Sequence, residues 1–474
     1  MTYDLAAFQT GIGAIKCESN AALVKQKSRD FYWYSPVLKR QLDHVCADLV
    51  VTPANEAEVI AVLACAHKFG IPVTPRGTGT GNYGQAMPLA GGIILNLADM
   101  TDITHIAPGR VVCGPGAIMA KIDLATRQNS AQELRMHPST YNTASIGGFI
   151  AGGSGGIGSI NWGGLRDFGN ILRLRVVTME AQPRVLDLTG EDLHKVAHAY
   201  GTNGIITEVE MPLTSASQWL DMIIGFDSFA AACHFGNALG EQDGILTKLI
   251  APVAAPVPQN YFLRHRKFFR AGQSAVIVMV AAESSDAFLA FTRRFGGAEV
   301  IFNASRLSVS DREGLPPNYE LSWNHTTLRA LRVDPAITYL QVLYPFPDQQ
   351  HLVEKIHGHF GDEVMGHLEY VRFNGKVTCF GLPLVRFTTE QRLDEIIGSH
   401  EDMGAPVFNP HRYTLEEGGM KQTDAIQLAF KREADPQGLL NPGKMIAWED
   451  PGFDYRTGKT FLFPGLESRA MAGA

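Results

Sequence analysis

PRGTGTGNYGQA, from Pro75 to Ala86, and SIGGFIAGGSGGIGS, from Ser145 to Ser159, decide how this chain is read. Glycine lets backbone N–H groups approach a phosphate where a Cβ would collide, and two such loops point to a diphosphate gripped from two directions. Tight turns alone account for a single G-x-G-x-G. Seven glycines between Gly147 and Gly158, so soon after the first cluster, exceed what turns require. The usual dinucleotide fingerprint needs a strand, then G-x-G-x-x-G opening a helix, then an acidic residue about 20 positions on. Here IPVTPR reads as a strand, but the loop runs through coil into IILNL, another strand, so a Rossmann unit fits poorly.

Outward from the loops the pattern is mixed α and β. ADLVVTP, IPVTP, IILNL and RVVCGP read as strands, with helices from Asn55 to Phe69 and from Ala117 to Gln128. Asn55 is a capping residue followed by two glutamates in the first turn. The lead-in before Asp48 is helical, and its aromatic cluster Phe31, Tyr32, Trp33 and Tyr34 reads as packing, with the rim of a cofactor mouth as the alternative. From Trp219 to Met403 the runs WLDMIIGF, AVIVMVA, AEVIFN, ITYLQVLY, VMGHLEYVRF and VTCFGLPLVRF suit strands of one antiparallel sheet in a separate cap. The tail from Gly404 predicts a helix near GGMKQTDAIQLAFKREA, followed by DPQGLLNPGKM.

A chain of 474 residues predicts two or three domains. The formal charge of −7, spread without blocks of either sign, gives no electrostatic basis for nucleic-acid binding. The stretch RHRKFFR, Arg264 to Arg270, reads as an exposed segment of the cap. Six scattered cysteines without a C-x-x-C pair argue against a disulfide framework or structural zinc. No signal peptide or membrane span is visible, so a cytoplasmic setting is the default expectation. A homodimer is the commonest assembly for such a chain.

Five segments in order resemble the flavin-binding domain of the vanillyl-alcohol oxidase and p-cresol methylhydroxylase superfamily: VTPANEAEVIAVLACAHKFGIPVTPRGTGT, GGIILNLADMTDI, SIGGFIAGGSGG, ILRLRVVT and YGTNGIITEVEMPL. In the flavin domain the chain most resembles the branch of the glycolate oxidase flavin subunit and D-lactate dehydrogenase. The resemblance implies an α+β fold of the p-cresol methylhydroxylase type. A two-part FAD-binding domain with its lead-in would span 1–215 and an antiparallel-sheet cap 216–403, with a segment 404–474 returning to the FAD domain. FAD would lie with its pyrophosphate between the loops. First-loop contacts would come from Arg76, Gly77, Thr78, Gly79, Thr80, Gly81, Asn82, Tyr83 and Gly84. Second-loop contacts would come from Ser145, Gly147, Gly148, Gly152, Gly153, Ser154, Gly155, Gly156 and Gly158, with Gly204, Ile205 and Ile206 adding main-chain contacts. Relatives with covalent FAD attach it through a histidine at the first loop. Thr80, Asn82 and Tyr83 stand there instead, and Asn161 and Trp162 follow the second loop, so noncovalent FAD is expected.

Flavin dehydrogenation of an alcohol needs a base for the O–H proton and a cation if the substrate is a carboxylate. His325 stands near a helix start in WNHTTLRALR, and His411 lies two residues before Tyr413 in NPHRYTLEEGG. Tyr339 and Gln341 share one face of TYLQVLY by alternation, a face that would point toward the flavin. Arg386 ends the apolar GLPLVRF, either anchoring a substrate carboxylate or marking the strand's solvent end. His367 and Glu369 share a face of HLEYVRF, to orient a base, bind a metal or form a polar cross-strand surface. The H-x-G-D-G-N-x-H block of metal-dependent D-2-hydroxyacid dehydrogenases is replaced by MGAPVFNPHRYTLEEGG, so no catalytic metal is expected.

The expected reaction is hydride transfer to FAD from a small hydroxylated substrate, a 2-hydroxy acid foremost. His325 or His411 would take the proton, Tyr413 or Tyr339 would orient the oxygen, and Arg386 would hold a carboxylate. Oxidation of a phenol or aryl alcohol, or service as a flavin-carrying electron-transfer subunit, are the alternatives. The electron acceptor, whether oxygen, a quinone or a protein, is left open.

Overall fold

The computed structural model describes residues 3–419 and 425–454. Helix Glu56–Phe69 forms where the capping pattern predicts it. The Asn55 side chain accepts from the Glu58 N–H at 3.0 Å, and Gly70 closes the helix at φ +64. Val59, Val62, Leu63 and Ala66 on this helix are buried in one core with Val51, Val73, Ile93 and Leu95 of a four-stranded sheet. In that sheet Leu49–Thr52, Ile93–Asn96 and Val73–Arg76 run parallel, and Lys16–Glu18 closes one edge antiparallel. Burial on both faces explains the unbroken apolar runs LVV and IIL. The first glycine loop leaves the carboxyl end of Val73–Arg76, the end of a parallel sheet at which ligands bind.

A second, antiparallel sheet is built on the long strand Ile205–Ser215, which pairs with Arg110–Cys113, Gln132–Leu134 and Arg173–Val177. Helix Met119–Ser130 packs on it, two residues later than its expected span. The second glycine loop is not all loop: Ile146–Gly152 is helical. Gly147 donates its N–H to the Pro115 carbonyl at 2.9 Å, and a Cβ there would fall 2.9 Å from that oxygen. Its glycine serves helix packing as well as the cleft.

The cap begins at strand Trp219–Phe226, in a four-stranded antiparallel sheet ordered Thr247–Val253, Ser274–Ala281, Trp219–Phe226, Glu299–Asn303. The expectation of one cap sheet needs correction. ITYLQVLY divides into Ile337–Tyr339 and Val342–Tyr344, VMGHLEYVRF into Val364–Met365 and Leu368–Phe373, and VTCFGLPLVRF into Lys376–Gly381 and Leu384–Arg386. One member of each pair enters one three-stranded sheet and the other enters a second. Pro383 lies in one of these breaks, where it has no N–H to continue a ladder. The pairing is antiparallel throughout the cap.

Of the expected tail helix, Ala425–Ala434 is helical, and its beginning lies outside the described residues. The tail then returns to the first sheet. Val73 N–H donates to Leu439 O, and Asn441 N–H donates to Val73 O, both at 2.8 Å.

Candidate active site

The two glycine loops meet at Gly77, where a Cβ would lie 2.1 Å from Ser145 Oγ. They line one cleft. Residues 76–83 and 152–155 with Ser145, Gly147 and Gly148 form its walls, Gly204 and Ile206 join them, and Trp323, Asn324 and His325 enter from the cap. Gly79, at φ +71, passes so near the Arg76 guanidinium that a Cβ would come within 2.1 Å of it. Arg76 donates to the Arg29 carbonyl at 2.6 Å and the Thr78 carbonyl at 3.3 Å. Burial lowers its pKa, against the opposing charge of Asp30. Arg76 Nε and Ser145 Oγ are buried without partners among the described residues. A cation, two unsatisfied donors and glycines that admit close approach together fit a diphosphate.

The first loop is held from behind. Asp30 accepts from the Tyr32 N–H at 2.9 Å and the Ala86 N–H at 3.3 Å, and burial pushes its carboxyl up to about 6. Burial pulls Lys444 down to about 7, and its Nζ donates to Gly84 O at 2.6 Å. Asn441 Nδ2 donates to Gln85 O at 2.8 Å and to Tyr200 O at 2.6 Å. NPGK in the tail is thus the brace of the first loop.

Four of the expected cofactor contacts turn away from the cleft. Gly84, at φ +73, lies against Leu42 and Tyr413. Gly156 and Gly158 press on the backbone of residues 135–138, where Cβ atoms would fall 2.3 Å from His137 O and 2.1 Å from Arg135 O. Ile205 packs in the core of the first sheet.

Of the catalytic candidates, only His325 lines the cleft. Its ring makes no hydrogen bond among the described residues, and burial, with Arg329 and Arg332 nearby, lowers its pKa to about 4. His411 is buried with both nitrogens engaged, Nδ1 with Ser35 Oγ at 2.7 Å and Nε2 with Tyr339 O at 2.9 Å. It cannot reach a substrate. Tyr339 is fully buried and its hydroxyl accepts from Asn82 Nδ2 at 2.7 Å, so it supports a loop residue from behind. Tyr413 packs with Leu42 and Met87 under Lys444. Arg386 takes the solvent-end alternative, donating to Asp362 O at 3.2 Å with Asp334 3.8 Å away.

Other cleft residues escaped the sequence reading. Phe31 and Tyr34 line it, although their cluster reads as packing. Asn324 presents a buried carbonyl oxygen without a partner among the described residues, and Ser139 and Thr140 add neutral polar groups, while Gln341, which alternation had already marked, lines the cleft as well. Asn324 is adjacent to His325 in WNHTTLRALR, which is the signal that was available. His198 also lines the cleft, with Nδ1 2.9 Å from Gly153 O and an unusual φ of +55. Among the described residues Arg76 is the only cation in the lining, and no group of three His, Cys, Asp or Glu is placed to hold a metal ion.

Residues 47–187 match a family model described as an FAD binding domain. The chain carries an FAD-binding domain in a fold of the p-cresol methylhydroxylase type. The chain is similar to D-lactate dehydrogenase of Archaeoglobus fulgidus, 33% identical over 35% of this chain and 38% of that protein. It is also similar to the glycolate oxidase subunit GlcD of Escherichia coli, 30% identical over 47% of this chain and 44% of that one. The chain thus spans about two fifths of the length of these relatives. GlcD of Bacillus subtilis matches at 24% identity over 84% of this chain and 89% of its own length. A solved structure of alkyldihydroxyacetonephosphate synthase superposes with a TM-score of 0.70 at 15% identity, covering 94% of this chain and 85% of that one, which shows the shared fold. Among the described residues no helix is long and apolar enough to cross a membrane.

Proposed function

We propose that the chain is an FAD-dependent oxidoreductase acting on the CH–OH group of a small molecule, a 2-hydroxy acid foremost, with FAD held noncovalently. The observation that carries this reading is His325, an imidazole that burial favours in its neutral form and that has no hydrogen-bond partner among the described residues, on the cap side of the cleft that both glycine loops line. Bound FAD supplies the hydride acceptor. A ring nitrogen of His325 takes the hydroxyl proton, while Asn324 and Gln341 orient the substrate oxygen. Arg76, Ser145 and the loop amides hold the diphosphate. The names of the relatives, D-lactate dehydrogenases and glycolate oxidase subunits, support the 2-hydroxy acid class. The absence of histidine and cysteine from residues 75–86 supports noncovalent attachment. Homodimeric assembly and a cytoplasmic setting are proposed with it.

A second reading draws on Phe31, Tyr34 and Trp323, whose rings line the cleft and suit an aryl alcohol. Anaerobic mixing of the yellow protein with 2-hydroxy acids, 4-alkylphenols, aryl alcohols and sugars separates the two. Flavin bleaching by a 2-hydroxy acid is the expected result. Bleaching by the aromatic substrates alone would transfer the site to the second reading, and no bleaching by any alcohol would defeat both.

A further inference from the structure

We infer that Glu369 is the positioning residue that fixes the cap turn of Trp323, Asn324 and His325 over the flavin cleft. The inference rests on the functional reading above. Trp323 adopts φ +49 and ψ −141, a region bulky residues rarely occupy. Such a conformation persists only where the surroundings over-determine it. What holds it is a buried carboxylate. Glu369, 1% exposed, accepts the Trp323 N–H on Oε1 at 2.5 Å.

The same oxygen lies 2.9 Å from Nε2 of the fully buried His367, whose Nδ1 is 3.2 Å from the Leu382 carbonyl. A carbonyl only accepts, so Nδ1 carries a hydrogen and the contact at Nε2 shares a proton with Glu369. The ring thereby pins the carboxylate. Thr326, in the first turn of helix Asn324–Leu331, donates its hydroxyl to Leu321 O at 2.8 Å and lies 3.4 Å from His367 Nε2. Strand Leu368–Phe373 is therefore tied to the start of the helix that carries His325.

Glu369 itself does not line the cleft, so its influence passes through Trp323. The Trp323 indole borders both the flavin cleft and a smaller cavity walled by Val371, Arg372 and Phe380, and Gly155 borders both as well. A Cβ at Gly155 would come 3.6 Å from Trp323 Cη2, so the indole rests against the second glycine loop. Loss of the anchor moves His325 and opens this wall together.

Two conservative variants test the assignment. Glu369→Gln keeps the reach and offers an amide oxygen that accepts both the Trp323 N–H and the proton then retained on His367 Nε2; Glu369→Asp keeps the charge but is one methylene short. Trp323 emission is isolated as the difference between each protein and its Trp323→Phe counterpart. Glu369→Gln is expected to be bleached by substrate within about threefold of the parent rate, with Trp323 emission unchanged. Glu369→Asp should be slowed at least about tenfold at unchanged flavin content, with red-shifted Trp323 emission. Equal behaviour of the two, or a Gln variant as slow as the Asp variant, would overturn the assignment. The emission readout needs no substrate, so a failure of the functional reading, shown by a fully active His325→Gln, is distinguishable from a failure here.

Discussion

At the scale of single residues, the cleft is set by where side chains are missing and where imidazoles are neutral. Gly79 combines positive φ with a neighbour that leaves no space for a Cβ. Gly79→Ala should weaken FAD binding by at least about tenfold, read by titrating apoprotein with FAD, because left-handed strain and displacement of Arg76 act together. His411 gives a separate test through pH. Burial first, with Arg412 adding to it, lowers its pKa from 6.5 to about 3. Below pH 6.5 the unfolded chain then binds a proton that the folded chain refuses. Stability from this group is complete above that pH and declines as pH falls toward 3, by up to about 1.4 kcal/mol per pH unit. Relative to His411→Asn, the parent protein should lose stability faster between pH 6.5 and 4.5 in urea unfolding. Parallel pH profiles would show that His411 is not held neutral. From the sequence His325 and His411 were equally good bases, since each is a histidine in a polar motif. They differ in hydrogen-bond partners far along the chain, Ser35 and Tyr339 for His411 and none among the described residues for His325.

At the scale of elements, the tail segment behaves as a clamp. Asn441 bonds the Gln85 and Tyr200 carbonyls, which flank the cleft from two parts of the flavin domain. Asn441→Leu would leave both without this donor, at a cost of about 1–3 kcal/mol. Weaker FAD binding is expected by calorimetry, although Asn441 does not line the cleft. Unchanged affinity would mean the loop holds its shape alone. Elements with local signals were legible: Asn55, two glutamates and Gly70 bound one helix within a residue of its expected ends. The cap strands were legible as strands but not as sheets. Whether ITYLQVLY is one strand or two depends on which neighbours its halves meet, and Pro383 was the local hint. The second glycine loop hid a helix because glycine's low helix propensity is overridden by packing on Pro115.

At the scale of the whole molecule, cap and flavin domain are joined by buried charge. Lys248, from the cap sheet, donates to Glu133 Oε1 at 2.9 Å, and the Trp219 indole N–H donates to the same oxygen at 2.9 Å. Arg127 pairs with the other carboxylate oxygen. Lys248→Met should destabilise the protein by about 3 kcal/mol, since it removes one partner and leaves the carboxylate buried. A melting temperature equal to the parent's would contradict that. The ordered motifs of the flavin domain were enough to name the cofactor and to mark two loops that line one cleft, because close backbone approach is written in local glycine spacing. The substrate side was not, because Phe31, Trp323, Asn324 and Gln341 converge from separate elements. The central proposal is that His325, on the cap side of the cleft that would hold FAD, takes the substrate proton. Its most direct test is anaerobic stopped-flow reduction of FAD-loaded His325→Gln by the best 2-hydroxy acid. Unchanged flavin content with reduction slowed at least about 100-fold is the expected result; reduction within about threefold of the parent rate would contradict it.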